Sequence, residues 1–439
     1  MITSRPHSSV FVSILSSMTS GLTFGFSSAT TLQIYVNTIC VAVSTGCLNI
    51  GGLIGCILST RFIRDYGHRR TLLFSYILSF LGWIGLFLSS WAVYEYYSLT
   101  VLFILGRLLT GVGCGLTLTT NIIYLYEIIP SSRKVMTVSL FQVGVTCGIV
   151  ADYALAIYLN WDIISLIFAF ISLFVAFLTY ISPECNRCVA INNLQLSETS
   201  HHRLYGNESP SKQNEANLMH NKNFPDNLSN HSTRSCSSFP ISPSSTYVLN
   251  NQTSKHVVYI LMTFQQLTGM NVIVYFGESV CLVGGSISYQ CALITGLFLF
   301  IFSIISIFII RIFSWRKLLL IGAIILALSH LSFSFSLLQI DTQKSLLHQI
   351  YFAVCAFSFT CSWGPLPFLI SIELFPSMNR NSIIKTCLTK MLQFDHQSMQ
   401  MSLYEAFEAT FFTTLFYIDS IRASLFSKSC HARFNTMSI

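Results

Sequence analysis

Charged side chains are scarce in this sequence. Only 9% of its 439 residues are Asp, Glu, Lys or Arg, whereas 52% are hydrophobic and the mean hydropathy is +0.62. An average soluble protein is about 25% charged. The shortage of charge argues against a soluble globular protein and predicts an integral membrane protein surrounded by the lipid bilayer.

Constellations of reactive side chains are also lacking. No nucleophile and base stand together in a polar loop, so the sequence does not predict an enzyme. Many of the 14 cysteines lie inside apolar runs, where a cysteine behaves as a small hydrophobe. We therefore expect neither a disulfide framework nor a metal site, and no cofactor. The net charge of +7 comes from short basic segments between apolar runs. This distribution is explained better by the positive-inside rule for membrane proteins than by nucleic acid binding.

Long apolar runs, by contrast, are abundant. A helix needs about 20 apolar residues to cross the hydrocarbon core of a bilayer. Ten runs satisfy this length, and a weaker candidate at 409–426 is interrupted by Asp419 and Arg422. The sequence thus predicts an all-α membrane protein with about 10–11 spans. The ten predicted spans cover residues 10–33, 36–60, 71–92, 98–126, 136–160, 163–182, 257–277, 287–312, 317–340 and 350–372.

Basic residues fall in alternate loops, which sets the orientation by the positive-inside rule. The N-terminus and the gap at 188–255 are therefore predicted to be cytoplasmic, in a multi-pass protein of the plasma membrane. This gap is rich in Ser, Asn and His, which is typical of a disordered linker. The predicted organisation is a six-helix bundle at 1–187, the linker at 188–255, a second bundle at 256–380 with four recognisable spans, and an atypical segment at 381–439.

One local pattern occurs twice. Glu127-Ile-Ile-Pro130-Ser-Ser-Arg133 is followed 246 residues later by Glu373-Leu-Phe-Pro376-Ser-Met-Asn-Arg380, and each copy follows an apolar run. The basic pair at 69–70 recurs at 316–317, with nearly the same offset. A shared offset predicts two parallel halves, which is the organisation of one large class of secondary transporters.

Two further motifs contain charge. The segment Arg64-Asp65-Tyr-Gly67-His-Arg69-Arg70 combines a carboxylate, a turn glycine and several cations, so it is either a gating loop or a solvated basic anchor. Arg107 stands inside the fourth span, where an arginine is functional and paired unless it snorkels to the interface. Glycines 51, 52 and 55 are explained by close packing of helices alone.

Polar side chains concentrate in the fifth and seventh spans. Amides with both donors and acceptors suit a neutral polyhydroxyl ligand, although hydrogen bonds between helices are the simpler use of any one of them. Trp363-Gly364-Pro365-Leu-Pro367-Phe368 predicts a helix break, either as a substrate site or as a mere kink. The remaining polar candidates are Gln142, Gln265, Gln266, Asn271 and Tyr275.

Together these motifs resemble the sugar transporters of the major facilitator superfamily, close to the facilitative glucose transporters. The resemblance runs from about Phe24 to Arg380 and implies two pseudo-symmetric helical bundles that alternate around a central hexose site. It implies that Gln142, Gln265, Gln266 and Asn271 contact the sugar, and that Phe368 stacks on it. The cytoplasmic charge network that it implies, with Arg107 grouped among the gating residues, comprises Arg64, Asp65, Gly67, Arg69, Arg70, Glu127, Arg133, Glu184, Arg187, Arg316, Glu373 and Arg380.

Departures from the family pattern bear on coupling and substrate. Proton-coupled relatives have an Asp after the Phe-Gly-Tyr of span one, whereas Ser27 stands here and cannot titrate near neutral pH. Facilitative hexose transport is therefore predicted, with a proton-coupled symporter as an alternative. No eleventh and twelfth spans are recognised after Arg380, so we expect an incomplete second bundle. A non-transporting sugar sensor or degenerate paralogue is then the other alternative.

Overall fold

The computed structural model describes residues 6–33, 38–91, 96–128, 134–182, 251–275, 288–338 and 344–374. Within these ranges every regular element is helical. The helices are α1 (Pro6–Gln33), α2 (Thr38–Ser89), α3 (Tyr96–Ile128), α4 (Lys134–Tyr158), α5 (Trp161–Ile181), α6 (Asn251–Leu267), α7 (Met270–Tyr275), α8 (Ser288–Ile312), α9 (Trp315–Leu338), α10 (Lys344–Ser358) and α11 (Leu366–Leu374), with a π-helical segment (Phe359–Trp363) between the last two.

All ten predicted spans coincide with helical segments. Eight helical stretches of the described chain are long and apolar enough to cross a membrane, and one of them, at 45–89, is long enough for two crossings. The seventh span divides into α6 and α7, which makes each part too short to count. The weak candidate at 409–426 lies outside the described residues. The prediction of an all-α membrane protein is confirmed.

Spans two and three join at Gly67, which interrupts α2. Gly67 has φ 81° and ψ 170°, a conformation that only glycine adopts without strain. The charged segment predicted as a tight loop is thus a sharp kink between two helices. The Thr71 hydroxyl, one turn after the kink, donates to the Gly67 carbonyl at 2.7 Å.

The first bundle comprises α1 to α5, with α1 packed on α4, and α2 packed on α3 and α5. Glycines permit these close approaches. A Cβ on Gly115 of α3 would lie 2.1 Å from the Gly52 carbonyl oxygen of α2, which leaves room only for hydrogen. The predicted packing role of the 51–55 glycines is therefore what the structure shows.

The second bundle contains α6 to α11, in which α10 packs on α8 and α9, and α11 packs on α6. The bundles meet where α4 packs against α8 and where α1 contacts α7. The Thr146 and Ser303 hydroxyls are 2.9 Å apart across the first of these contacts. α6 begins at Asn251, inside the segment predicted as linker; most of that linker and the segment 381–439 lie outside the described residues.

Large apolar side chains cover the outward faces of the helices. Phe170, Phe177, Phe308 and Leu328 are each about 60% exposed in the isolated chain. A soluble protein rarely displays so much apolar surface, whereas a bilayer solvates it. Polar side chains of the same helices are buried, as Ser172 and Thr179 of α5 show by donating to carbonyls of their own helix.

Candidate functional site

The tenth span is broken inside the protein. Its helix passes through the π-helical segment 359–363 into a turn at Gly364 and Pro365, and α11 begins directly afterwards. Pro365 and Pro367 have no backbone N–H, so a continuous helix would lose two hydrogen bonds here. The Gly364 N–H instead donates to the Phe359 carbonyl at 2.7 Å. The break lies at the predicted residues and is buried.

Two of the predicted amides meet at this break. Gln265 of α6 donates through Nε2 to the Gly364 carbonyl at 3.0 Å, while its Oε1 has no hydrogen-bond partner among the described residues. A Cβ built on Gly364 would lie 3.6 Å from Cδ of Gln142, so the amide of α4 reaches the same place from the first bundle. Gln265 is 4% exposed, and a buried acceptor without a donor is a place for a ligand hydroxyl.

The seventh span is also broken, at Thr268 and Gly269, where Gly269 has φ 70°. The Asn271 amide donates to Oε1 of Gln266 across this break, so these two predicted residues form a pair. The freed Thr268 carbonyl lies 2.9 Å from Nε2 of His330 on α9. Nδ1 of the same imidazole lies 2.9 Å from the Tyr351 hydroxyl on α10. His330 therefore ties the break to two neighbouring helices.

α7 is held against the first bundle by a set of contacts that we call the α7 cluster. The Tyr153 hydroxyl of α4 donates to the Val274 carbonyl at 2.6 Å. The Tyr275 hydroxyl lies 3.4 Å from Oδ1 of Asn49, and the Tyr275 ring packs edge-on against Phe24 with centroids 5.8 Å apart. Tyr275 thus contacts α1 and α2, and α7 joins the second bundle to the first.

Phe368 is buried on α11, three residues after Pro365. Its ring belongs to the main apolar core, together with Trp363 and Leu369. The stacking of Phe368 on a sugar stays a prediction.

Arg107 does not lie where the sequence prediction grouped it. It stands 20 residues before Glu127 on α3. At 1.5 Å per residue this is about 30 Å along the helix axis, so Arg107 is distant from the motif that begins at Glu127. It does not snorkel either, because it is only 1% exposed. Its Nη2 donates to the Ser27 hydroxyl at 3.2 Å, and its guanidinium lies over the Phe26 ring at 4.5 Å.

A buried carboxylate that the sequence prediction missed lies beside this arginine. Asp152 of α4 is fully buried and interacts electrostatically with Arg107. A Cβ on Gly25 would be 2.9 Å from Oδ2 of Asp152, so the carboxylate packs directly on the backbone of α1. The signal was present in the sequence, because a lone Asp inside an apolar span is costly and marks a functional position.

The predicted cytoplasmic charge network is described only in part. Arg64 and Asp65 form an exposed ion pair at 3.4 Å, the only ion pair within 4.0 Å in the described part of the chain. Arg69 donates to the Tyr180 carbonyl and lies 5.3 Å from the Tyr180 ring, which links the kink to the end of α5. Arg70 is exposed and Arg316 is half-buried. The side chains that the structure does not describe are those of Glu127, Arg133, Glu184, Arg187, Glu373 and Arg380.

The described ranges contain a disulfide-bonded cysteine and several cysteines outside disulfides. No cluster of three or more His, Cys, Asp or Glu residues there could hold a metal ion. Cys291, near the start of α8, is disulfide-bonded. The sequence also contains one C-x-x-C pair, at 185 and 188, which lies outside the described residues. The cysteines that the structure describes outside disulfides are Cys47, Cys56, Cys114, Cys147, Cys355 and Cys361.

Solved structures identify the fold. The chain is similar to the partially occluded inward-open conformation of the xylose transporter XylE from E. coli, with a TM-score of 0.72, 17% identity and coverage of 96% of this chain and 98% of that one. The D-xylose-proton symporter structure matches with a TM-score of 0.70 and 17% identity over 93% of this chain and 96% of that one. The fold is therefore that of a major facilitator transporter, with two helical bundles.

The family follows from sequence. The family model for "Sugar (and other) transporter" matches residues 8–415, so the chain belongs to this family. "Sugar transporter ERD6-like 10" of Arabidopsis thaliana is 25% identical over 380 residues, 84% of this chain and 79% of the relative. The facilitated glucose transporter member 3 of Ovis aries is 24% identical over 76% of this chain and 67% of its own length. The family match continues past Arg380, where we predicted that recognisable sequence ends.

Proposed function

We propose that this protein transports a neutral hexose across the membrane by alternating access of its two bundles. The observation that carries the proposal is the meeting of Gln142 and Gln265 at the broken tenth span. These amides come from different bundles, are uncharged, and include a buried acceptor without a donor. A polyhydroxyl ligand supplies the missing donor without bringing any charge into the membrane interior.

Alternating access requires a contact between bundles that can break. The α7 cluster is such a contact, because two hydrogen bonds and one edge-on ring pair join α7 to the first bundle. Each bond is individually weak, so the cluster can open at modest cost. α7 is six residues long and follows a glycine at positive φ, which suits a segment that moves as a short rigid unit.

Localisation in the plasma membrane, with a cytoplasmic N-terminus and 188–255 linker, belongs to the same proposal. Two features support it. The Lys and Arg residues of alternate loops predict a cytoplasmic face at the 61–70 and 311–317 segments. Cys291 lies at the opposite end of α8 from Arg311, and its disulfide suits an oxidising exterior.

Counterflow in proteoliposomes tests the proposal. The purified full chain, loaded with unlabelled D-glucose at equal pH on both sides, is expected to draw in labelled D-glucose. Gln265→Leu removes the amide at the break and is expected to raise the half-saturation concentration about 5- to 150-fold, for about 1–3 kcal/mol of lost hydrogen bonding. Gln290→Leu, at an exposed position at the start of α8, is the matched control.

The sensor alternative predicts a different result. A non-transporting sugar sensor binds D-glucose, and Gln265→Leu weakens that binding, but labelled sugar does not enter the vesicles. Binding without counterflow in the wild-type protein would replace the transport proposal with the sensor. D-xylose, offered as a competitor in the same vesicles, tells a hexose preference from a pentose preference.

One observation bears on the prediction of facilitative transport, that is, of uniport without a coupled proton. That prediction depended on the absence of a titrating group beside Ser27, and the structure places the Asp152 carboxylate against Gly25, two residues away. One of the fold neighbours is itself described as a proton:xylose symporter. Facilitative transport thus stays a prediction. Whether sugar transport is coupled to protons depends on the environment of Asp152.

A further inference from the structure

We propose that Asp152 carries the coupling proton of this transporter, with Arg107 as its charge partner, so that transport is a proton symport rather than a uniport. This inference rests on the proposed sugar transport. It assigns a role to a carboxylate on α4 that neither the sequence motifs nor the sugar site requires.

The first support is the isolation of Asp152 from hydrogen-bond donors. Its side chain is 0% exposed, and neither carboxylate oxygen has a hydrogen-bond partner among the described residues. An ionised carboxylate so placed loses its hydration without compensation. A carboxyl group that only stabilised the fold would be expected to have fixed donors, because buried polar groups are nearly always satisfied.

The second support is Arg107, a cation that is equally buried. Its Nε and Nη1 have no hydrogen-bond partner in the described structure, although Nη2 donates to Ser27. Arg107 and Asp152 interact electrostatically, but they do not form an ion pair within 4.0 Å. Burial favours the neutral carboxyl group, whereas an approaching guanidinium favours the carboxylate. Small movements of α1, α3 and α4 therefore decide which state is stable.

The other helices around Asp152 add few titratable groups. α1 presents Gly25 and the Ser27 hydroxyl, and α3 presents Arg107. α7 presents the Tyr275 phenol, which interacts with Arg107. α5 has Asp162 in its first turn, and α8 has Arg311 in its last turn. Within the described residues, Asp152 and Arg107 thus form the charged centre of the first bundle.

This charged centre is adjacent to the α7 cluster. Tyr153, the next residue after Asp152, donates its hydroxyl to Val274 of α7. Arg107 interacts with Tyr275, the next residue after Val274. A change of charge at Asp152 therefore acts on two consecutive residues of α7, one through the α4 backbone and one through Arg107. Protonation and the opening of α7 are expected to be coupled.

The proton step is a simple transfer between water and the carboxyl group. In the state with α7 displaced, hydronium from the outer solution gives its proton to the Asp152 carboxylate, forming an O–H bond and leaving water. Arg107 then loses its counter-charge, and the bundles close over the sugar. On the inner side the O–H bond breaks, water accepts the proton, and the carboxylate again attracts Arg107.

Proteoliposomes with an internal pH dye test this coupling. Under an inward gradient of one pH unit, the wild-type protein is expected to accumulate labelled D-glucose up to about tenfold, with sugar-dependent acidification of the lumen, for one proton per sugar. Asp152→Asn is expected to lose both the accumulation and the acidification, and Asp152→Glu to keep them. Asp162→Asn, a charge-matched change on α5, is expected to keep both.

The outcomes separate this inference from the transport proposal. Counterflow at equal pH tests transport alone. If the wild-type protein shows counterflow but neither accumulation nor acidification, or if Asp152→Asn still accumulates sugar, the coupling role of Asp152 is wrong. If counterflow itself is absent, infrared difference spectra of the purified protein decide the proton site. A protonated-carboxyl band that changes with pH and is missing in monodisperse Asp152→Asn supports it, and a band unchanged by the substitution overturns it.

Discussion

Removing one hydroxyl group from Tyr153 tests whether the α7 cluster controls access to the sugar site. Tyr153→Phe keeps the ring, which packs beside Gly296 of α8, and deletes the hydroxyl that makes the 2.6 Å bond to Val274. A hydrogen bond of this kind contributes about 0.5–1.5 kcal/mol net. The equilibrium between closed and open α7 is therefore expected to shift roughly 2- to 13-fold toward the open state.

The shift is measured as the ratio of half-saturation concentrations for D-glucose on the two faces of oriented proteoliposomes. Opening of α7 exposes the site on its own side, so the half-saturation concentration on that side is expected to fall relative to the other. Tyr158→Phe is the control, because Tyr158 is 85% exposed at the end of the same helix. If the two variants change the ratio equally, the Tyr153 bond does not hold the gate.

Three further substitutions test the packing on which the site depends. Gly115→Ala forces a Cβ into the backbone of α2 and is expected to cost about 1–3 kcal/mol, whereas Gly85→Ala meets only an ordinary contact at 3.7 Å. Thermal unfolding in detergent should rank them in that order, and equal melting temperatures would contradict it. His330→Leu leaves a carbonyl and a phenol buried without their partner, so a loss of about 1–3 kcal/mol is expected by the same assay. Gly67→Ala meets no atom within 4 Å, so its expected cost of about 1–3 kcal/mol is backbone strain alone, and an unchanged melting temperature would show that the kink relaxes.

The positions of the spans could be predicted from the sequence because a bilayer imposes a simple length and polarity rule on each helix. The break in the tenth span was visible for a related reason, whereas the break of the seventh span at Thr268 and Gly269 was not predicted. Glycine and proline act on the backbone locally, so the tenth span breaks at Gly364 and Pro365 as predicted. The joining of spans two and three into one kinked helix was less accessible, because a glycine inside a short charged segment is equally compatible with a loop and with a kink.

The site was harder to predict, since it depends on which residues of distant segments meet. Gln142 and Gln265 were predicted from the polar patterns of their spans, but their meeting at Gly364 required the packing of both bundles. Arg107 was predicted to be functional and was grouped with the wrong end of the protein. Asp152 was missed because motif comparison looks for a carboxylate on α1, whereas here it approaches α1 from α4.

The sequence by itself determined the class of this protein. Its low charge, its long apolar runs and a motif that occurs twice predict a helical membrane protein in two halves, because a helix about 20 residues long satisfies its own backbone hydrogen bonds in lipid. Only the tertiary structure decided what surrounds Ser27. Helices that are far apart in sequence place Arg107 on Ser27 and Asp152 on Gly25, and electrostatic effects depend on distance and burial rather than on sequence position.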